Sequence, residues 1–244
     1  MEQLSDIRTF CDYILLSPVA IHKQYCLDRF IESVKSLVPA PKEIHFCIDW
    51  DAFELRDKLS NIDDIIVHIN PNIGDPSSFL TRISYAREIL RNHFIKTDYD
   101  WALWVDSDIL LPSDMVETLI NTQEGSQAAV VVHGYVGRNY KSIWHGSGIM
   151  WTSNESCSAG TFYTDLTGRF HVSEDYVFLA TNRSIKGYMY KLHGIGGVVN
   201  TDERLDDILH VFSANMTDEE LLDFARESYD LYRNHSREKV EKIG

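Results

Sequence analysis

Two acidic residues, Asp106 and Asp108, stand directly after Trp101 to Val105 (WALWV), a run that is apolar at every position. A strand of that composition is covered on both faces, which places it centrally in a sheet. The chain then emerges at the sheet's carboxyl edge, where open α/β sheets bind their ligands. In extended chain, positions i and i+2 face the same side, so the two carboxylates suit one shared hard cation. Oxygen ligands favour Mg²⁺ or Mn²⁺, ions that keep coordination places for phosphate oxygens. An Asp-x-Asp also arises as a solvated turn in many acidic chains. Here an all-apolar strand precedes it, and Ile109-Leu110-Leu111-Pro112 and a capped helix follow. That context favours Asp106-Ser107-Asp108 as a place where a cation and a diphosphate meet.

The elements that position this turn follow from apolar spacing. Asp12 to Val19 is a short apolar run stopped by Pro18, and Ile21, Tyr25, Leu27, Phe30, Ile31, Val34 and Leu37 follow at helical intervals until Pro39 and Pro41. Glu43 to Asp49 and Asp64 to Ile69 read as strands, and Ser77 or Ser78 caps a helix from Phe79 to Phe94. Ser113 caps a further helix from Asp114 to about Thr122, before the strand Ala128 to Val132. Ile143 to Thr152 reads as a strand broken by Gly146 and Gly148. Ser173 caps a helix to about Lys186, and Tyr188 to Leu192 is a last strand. Thr217 to Glu220 forms a capping box opening a charged helix to Val240. Strands alternating with helices imply an α/β fold, a mostly parallel central sheet flanked by helices.

Composition narrows the partners. The 244 residues carry 37 acids against 23 Lys and Arg, a formal charge of -14, which argues against nucleic acid. An acidic chain that binds a diphosphate must mask the like charge with a divalent cation or with placed Arg and Lys. Cys11, Cys26, Cys47 and Cys157 lack any C-x-x-C spacing and read as buried thiols of a reducing compartment. The first twelve residues lack the order of a signal peptide, and no apolar run approaches the roughly 20 residues that span a bilayer. A cytoplasmic location is expected, with no transmembrane segment.

The stretch DYDWALWVDSDILLPSDMVETLI, Asp98 to Ile120, resembles the central strand, D-x-D turn and following helix of the GT-A glycosyltransferases, with looser similarity from about Asp12 to Asn200. That resemblance implies a Rossmann-like, nucleotide-diphospho-sugar transferase fold filling residues 1–244 as one domain. Residues 12–135 would be its nucleotide-binding half, 136–212 its acceptor half and 217–240 a C-terminal helix. It implies transfer of a sugar from a nucleotide sugar, UDP-linked, to a hydroxyl of a glycan or other acceptor. Asp108 would be the main metal ligand and Asp106 its partner. Ser84-Tyr85-Ala86-Arg87 is similar to an A-R-N element whose Arg lies near the nucleotide, with Glu88 in place of Asn. Ser173-Glu174-Asp175 resembles the family's E-D pair, which makes Asp175 the first candidate for the base that deprotonates the acceptor and Glu174 the second. Both acids equally favour a helix N-terminus electrostatically. His193, after the last strand, would complete the metal site, with His210 a rival. Pro18 and Asp49 would line the base and ribose pocket, where Asp51 competes and Trp50 either stacks or packs. Trp144 and His145, beside Gly146 and Gly148, would face the acceptor or form a bulged strand.

Other classes are kept open. A haloacid-dehalogenase-type phosphohydrolase carries D-x-D on its first strand with Thr or Val two residues later, whereas Leu110 stands there and three strands precede the motif. A sugar-nucleotide pyrophosphorylase requires a glycine-rich, Arg-containing loop after the first strand, where this chain has SPVAIHKQY. A module that binds a nucleotide sugar or glycan without turnover is the non-enzymatic alternative.

Overall fold

The computed structural model describes residues 12–71, 79–136, 143–162, 174, 177–178, 190–192, 198–202 and 206–210. The strands β1 (Tyr13–Pro18), β2 (Glu43–Asp49), β3 (Ile65–Asn70) and β4 (Trp101–Val105) are followed by β5 (Ile109–Leu110) and β6 (Val130–Val136). Then come β7 (Ile143–Ser153), β8 (Tyr190–Leu192), β9 (Val198–Asp202) and β10 (Asp206–His210). Seven of them form one sheet in the order β3-β2-β1-β4-β7-β6-β8. All but β7 run the same way, since β7 is antiparallel to both β4 and β6. Strands β10, β9 and β5 make a small antiparallel sheet.

The helices α1 (Leu27–Lys35), α2 (Phe53–Ser60) and α4 (Met115–Ser126) lie on one face of the main sheet, and α3 (Phe79–Phe94) and α5 (Asn154–Ala159) on the other. Strand β4 shows why. Leu103 and Val105 enter one core with Phe30, Leu55 and Leu119, while Ala102 and Trp104 enter the second with Leu90, Phe94 and Cys157. A strand buried on both sides needs apolar residues at every position. The central placement read from WALWV therefore holds, with a parallel neighbour in β1 and an antiparallel one in β7.

Several local expectations are corrected. Helix α2 was not foreseen, because only Leu55 and Leu59 of its eight residues are buried and a two-residue apolar signal is too sparse to read as a period. Helix α5 has the small polar sequence NESCSA and is set by a cap, with Ser153 accepting from the Ser156 N–H. Helix α4 starts at Met115 with Asp114 in the cap position and no side-chain capping bond, so Ser113 does not cap it. Strand β7 is continuous from Ile143 to Ser153, but its pairing with β6 slips at the two glycines: β6 advances from Val132 to Gly134 while β7 passes from Met150 to His145, so the expected interruption appears there as a bulge in β7. Cys26, Cys47 and Cys157 are buried free thiols, as expected, and Cys11 lies outside the described residues. The helix expected from Thr217 to Val240 and the cap at Ser173 also lie outside them. Among the described residues no helix is long and apolar enough to cross a membrane.

Replacing Leu103, fully buried in the centre of β4, with alanine should cost about 2–5 kcal/mol, read as a lower urea midpoint at unchanged slope. A cost near zero would contradict the two-faced burial of this strand.

Candidate functional site

The carboxyl ends of β1, β2 and β4 open onto a cavity of about 470 Å³. Pro18, Asp49, Asp106, Ser107 and Asp108, singled out from sequence, all line it, together with His22, Lys23 and Arg82, which were not. The loop after β1 forms a 3-10 segment, Ile21–Cys26, that carries His22 and Lys23 over the opening. Arg82, Ile83 and Ala86 come from the N-terminal half of α3. The signal for His22 and Lys23 was present: SPVAIHKQY is the loop at the ligand-binding edge, and it holds a Lys five residues after Pro18.

The Asp106–Asp108 segment is a tight turn. Ile109 N–H donates to Asp106 O at 3.0 Å, and Asp106 N–H donates to Gly148 O at 2.8 Å. The same-side argument from extended backbone therefore fails, and the turn brings both carboxylates to one cavity by another route. Gly148, at φ 96, makes this possible: a Cβ there would lie 2.5 Å from Ile109 Cδ1. Its close approach is to the Asp106 turn itself.

Each acid meets a protein cation. Lys23 Nζ donates to Asp108 Oδ2 at 2.5 Å. Arg87 Nη2 donates to Asp106 Oδ1 at 2.6 Å, and its Nη1 lies 3.3 Å from Glu174 Oε1. Arg87 is only 2% exposed and Glu174 4%, so the guanidinium bridges two carboxylates beneath the cavity floor. Its Cζ also sits 5.7 Å from the centre of the Phe162 ring, within cation–π range. Glu88, which stands where the related element has Asn, holds that ring in place: its Oε2 accepts the Phe162 N–H at 3.0 Å. Phe162 in turn stacks on Phe178 at 4.3 Å.

On the opposite wall, Asp49 accepts from Asn70 Nδ2 at 3.0 Å and pairs with Arg82 at 3.5 Å. Burial raises its pKa, and Arg82 and Asn70 offset part of the rise. Burial likewise raises Asp108, the Asp106 charge adds to the rise, and Lys23 opposes it. Asp51 and Trp50 lie outside the cavity lining. Trp50, 52% exposed, meets Phe53 edge-on, so it packs against the first residue of α2. His210 ends β10, and Trp144 and His145 pair with Tyr135 and Gly134 across the β6–β7 ladder. Asp175 and His193 lie outside the described residues.

No protein-family model matches the sequence, and a search of curated proteins also finds no match. Solved structures do resemble the chain. S. aureus TarS 1–349 in complex with UDP-GlcNAc aligns at TM-score 0.53 and 12% identity, over 74% of this chain and 56% of that one. Glucosyl-3-phosphoglycerate synthase from Mycobacterium tuberculosis, in complex with Mn²⁺, UDP and phosphoglyceric acid, aligns at TM-score 0.51 and 14% identity, over 74% of this chain and 68% of that one. The fold is of the GT-A type. At these identities the likeness establishes architecture, and this GT-A-type chain spans little more than half the length of TarS 1–349.

The donor set suits a hard divalent ion. Asp106 and Asp108 are near enough for the charge of one to raise the pKa of the other, a repulsion that a divalent cation between them relieves. Asp106 engages Arg87 through Oδ1, and its Oδ2 faces the Gly148 side of the turn.

Two outcomes follow. Arg87→Ala should cost about 3–5 kcal/mol in urea denaturation, because it leaves the buried Glu174 carboxylate without its cation and removes the partner of Asp106. The raised Asp108 means that the folded chain binds its proton more readily than the unfolded chain, whose value is near 3.8. That contribution to stability is complete below the ordinary value and fades as pH rises through the raised one. Wild type should therefore gain more in melting temperature than Asp108→Asn does as pH falls from 7 toward the ordinary carboxylate value, and equal gains over that whole range would refute the assignment.

Proposed function

We propose that this chain is a metal-dependent glycosyltransferase that moves a sugar from a UDP-linked donor to a hydroxyl of a glycan or other acceptor. One observation carries the reading. Two carboxylates from the turn after a buried central strand share a single cavity with Asp49, Pro18 and two placed cations, Lys23 and Arg82. A cavity of this size suits a small polar ligand, and the mixture of acids and bases suits a diphosphate bound through a cation.

Asp108 and Asp106 would hold Mn²⁺ or Mg²⁺, and His193 is the candidate third ligand. When bound, the ion supplies Lewis-acid stabilisation of the negative charge that grows on the departing diphosphate. The chain's own groups do the rest. Arg87, clamped by Glu174, fixes the Asp106 carboxylate at the floor of the site. Lys23 and Arg82 supply N–H donors to phosphate oxygens from the rim. Asp49 accepts a hydrogen bond from the nucleoside, and Pro18 shapes the wall beside it. Asp175 is assigned as the base that takes the acceptor proton if the anomeric centre inverts. Glu174 is then the residue that orients Arg87, because a carboxylate buried against a guanidinium is poorly available to an acceptor.

A second reading rests on the Lys23–Asp108 pair, which neutralises the acid from within the protein. A chain that keeps this pair closed would bind a nucleotide sugar without turning it over. Incubation with UDP-sugars and Mn²⁺ separates the two. Release of UDP, lost at least a hundredfold in Asp108→Ala with the fold intact, is the expected result. Binding detected by thermal shift with no UDP released favours the module, and full turnover by Asp108→Ala removes the metal assignment.

A further inference from the structure

Helix α3 reaches from the cavity to the other end of the sheet. Its final turn carries His93, eleven residues beyond Arg82 and thus about 16 Å away along the axis. There it meets His45 of β2 and His68 of β3 on the same sheet face, with ring centroids 4.4 Å (His45 to His93), 4.9 Å (His68 to His93) and 5.2 Å (His45 to His68) apart. One ring nitrogen from each histidine lies within 4.8 Å of the other two. His45 is fully buried; its Nδ1 is 2.9 Å from His68 Nε2, and its Nε2 is 2.8 Å from Glu43 Oε2. Glu43 also accepts from the Tyr99 hydroxyl at 3.1 Å. His93 Nε2 is buried and lacks a hydrogen-bond partner among the described residues.

The proton accounting narrows what these rings can do. Burial raises the cost of charging Glu43, but its bonds from His45 and Tyr99 outweigh that and hold its pKa below the ordinary value, so it is an acceptor at neutral pH. It therefore fixes the proton of His45 on Nε2 and leaves Nδ1 to accept from the His68 Nε2–H at 2.9 Å. Burial lowers His45 and takes His68 to about 4, so both are neutral near pH 7, the form that ligates metal. A carboxylate accepting from the far nitrogen of a histidine is the usual outer support of a metal ligand. His93 Nε2, buried with nothing to bond among the described residues, is costly to leave so; a cation shared by the three nitrogens would satisfy it, the proton that His68 Nε2 donates to His45 Nδ1 moving to His68 Nδ1.

We infer that His45 Nδ1, His68 Nε2 and His93 Nε2 form a binding site for a borderline divalent transition ion of the Zn²⁺ class, which ties the last turn of α3 to β2 and β3. Imidazole nitrogens select such an ion over Mg²⁺, so this site differs in kind from the carboxylate pair in the cavity. Tetrahedral Zn²⁺ with Zn–N of about 2.0–2.1 Å sets its nitrogens about 3.3 Å apart, so the His45–His68 pair is already near that spacing and His93 closes the set. Three nitrogens leave a fourth position for water. The inference does not depend on the transferase reading.

The test uses the full chain without a polyhistidine tag, stripped by chelator and titrated with Co²⁺ and with Zn²⁺. One equivalent of Co²⁺ should bring a visible tetrahedral absorption that Zn²⁺ displaces, and Zn²⁺ should raise the melting temperature. His68→Gln and His93→Gln should each weaken Zn²⁺ binding at least tenfold and remove that rise, while Asp108→Asn changes neither. Glu43→Gln, which leaves all three rings in place, should weaken binding about 10–100-fold and serves if a histidine variant does not fold. Absence of stoichiometric uptake by folded wild type, or uptake undiminished in the folded variants, overturns the site. UDP release, or its absence, leaves the result unaffected.

Discussion

A guanidinium taken out of water must be met by anions, and Arg87 meets two. It lies between Asp106, at the turn after the central strand, and Glu174, a residue 87 positions beyond Arg87 itself. Its partners are spread across sequence, so the ion pairs form only once β4, α3 and the segment carrying Glu174 have assembled. In return, the Asp106 carboxylate is pinned at the cavity floor in one orientation. The breaking of such a buried network is expensive, whereas its net contribution relative to an apolar replacement is small. Its value here is placement.

Around that network the other residues have definite tasks. Glu88 binds the Phe162 backbone, and Phe162 lies under the Arg87 guanidinium and against Trp104. Gly148 lets β7 pass close enough for its carbonyl to accept from Asp106. Lys23 answers Asp108 from the opposite rim. The acids of the turn are thus held by a cation from below and one from above.

The two ends of α3 carry different chemistry. Near its start, Arg82 and Arg87 pair with Asp49 and Asp106, two carboxylates of the cavity lining. Near its end, His93 joins two histidines, one of which is backed by Glu43. Hard and borderline cations sort between such environments by ligand type. A helix secured at its far end presents its near end with less freedom, which is what a preorganised anion site requires.

The sequence by itself determined the strands of the main sheet and the place of the Asp106–Asp108 turn, because both are written in local patterns, whereas β9 and β10 follow a strand that was expected to be the last. WALWV is apolar throughout, and only a strand covered on both faces tolerates that. Pro18 and Asp49 were legible for the same reason, since each ends a strand on the ligand edge. Short elements such as α2 and α5 were not, because two buried leucines or one capping serine do not make a period. Tertiary structure alone decided how the acids are answered. The pairs Lys23–Asp108, Arg87–Glu174 and Arg82–Asp49 join residues 85, 87 and 33 positions apart, and no spacing rule links them. The histidine cluster is of the same kind. His45, His68 and His93 lie on three elements whose meeting depends on the β2–β3 register and on how α3 crosses the sheet, and that geometry exists only in the folded chain.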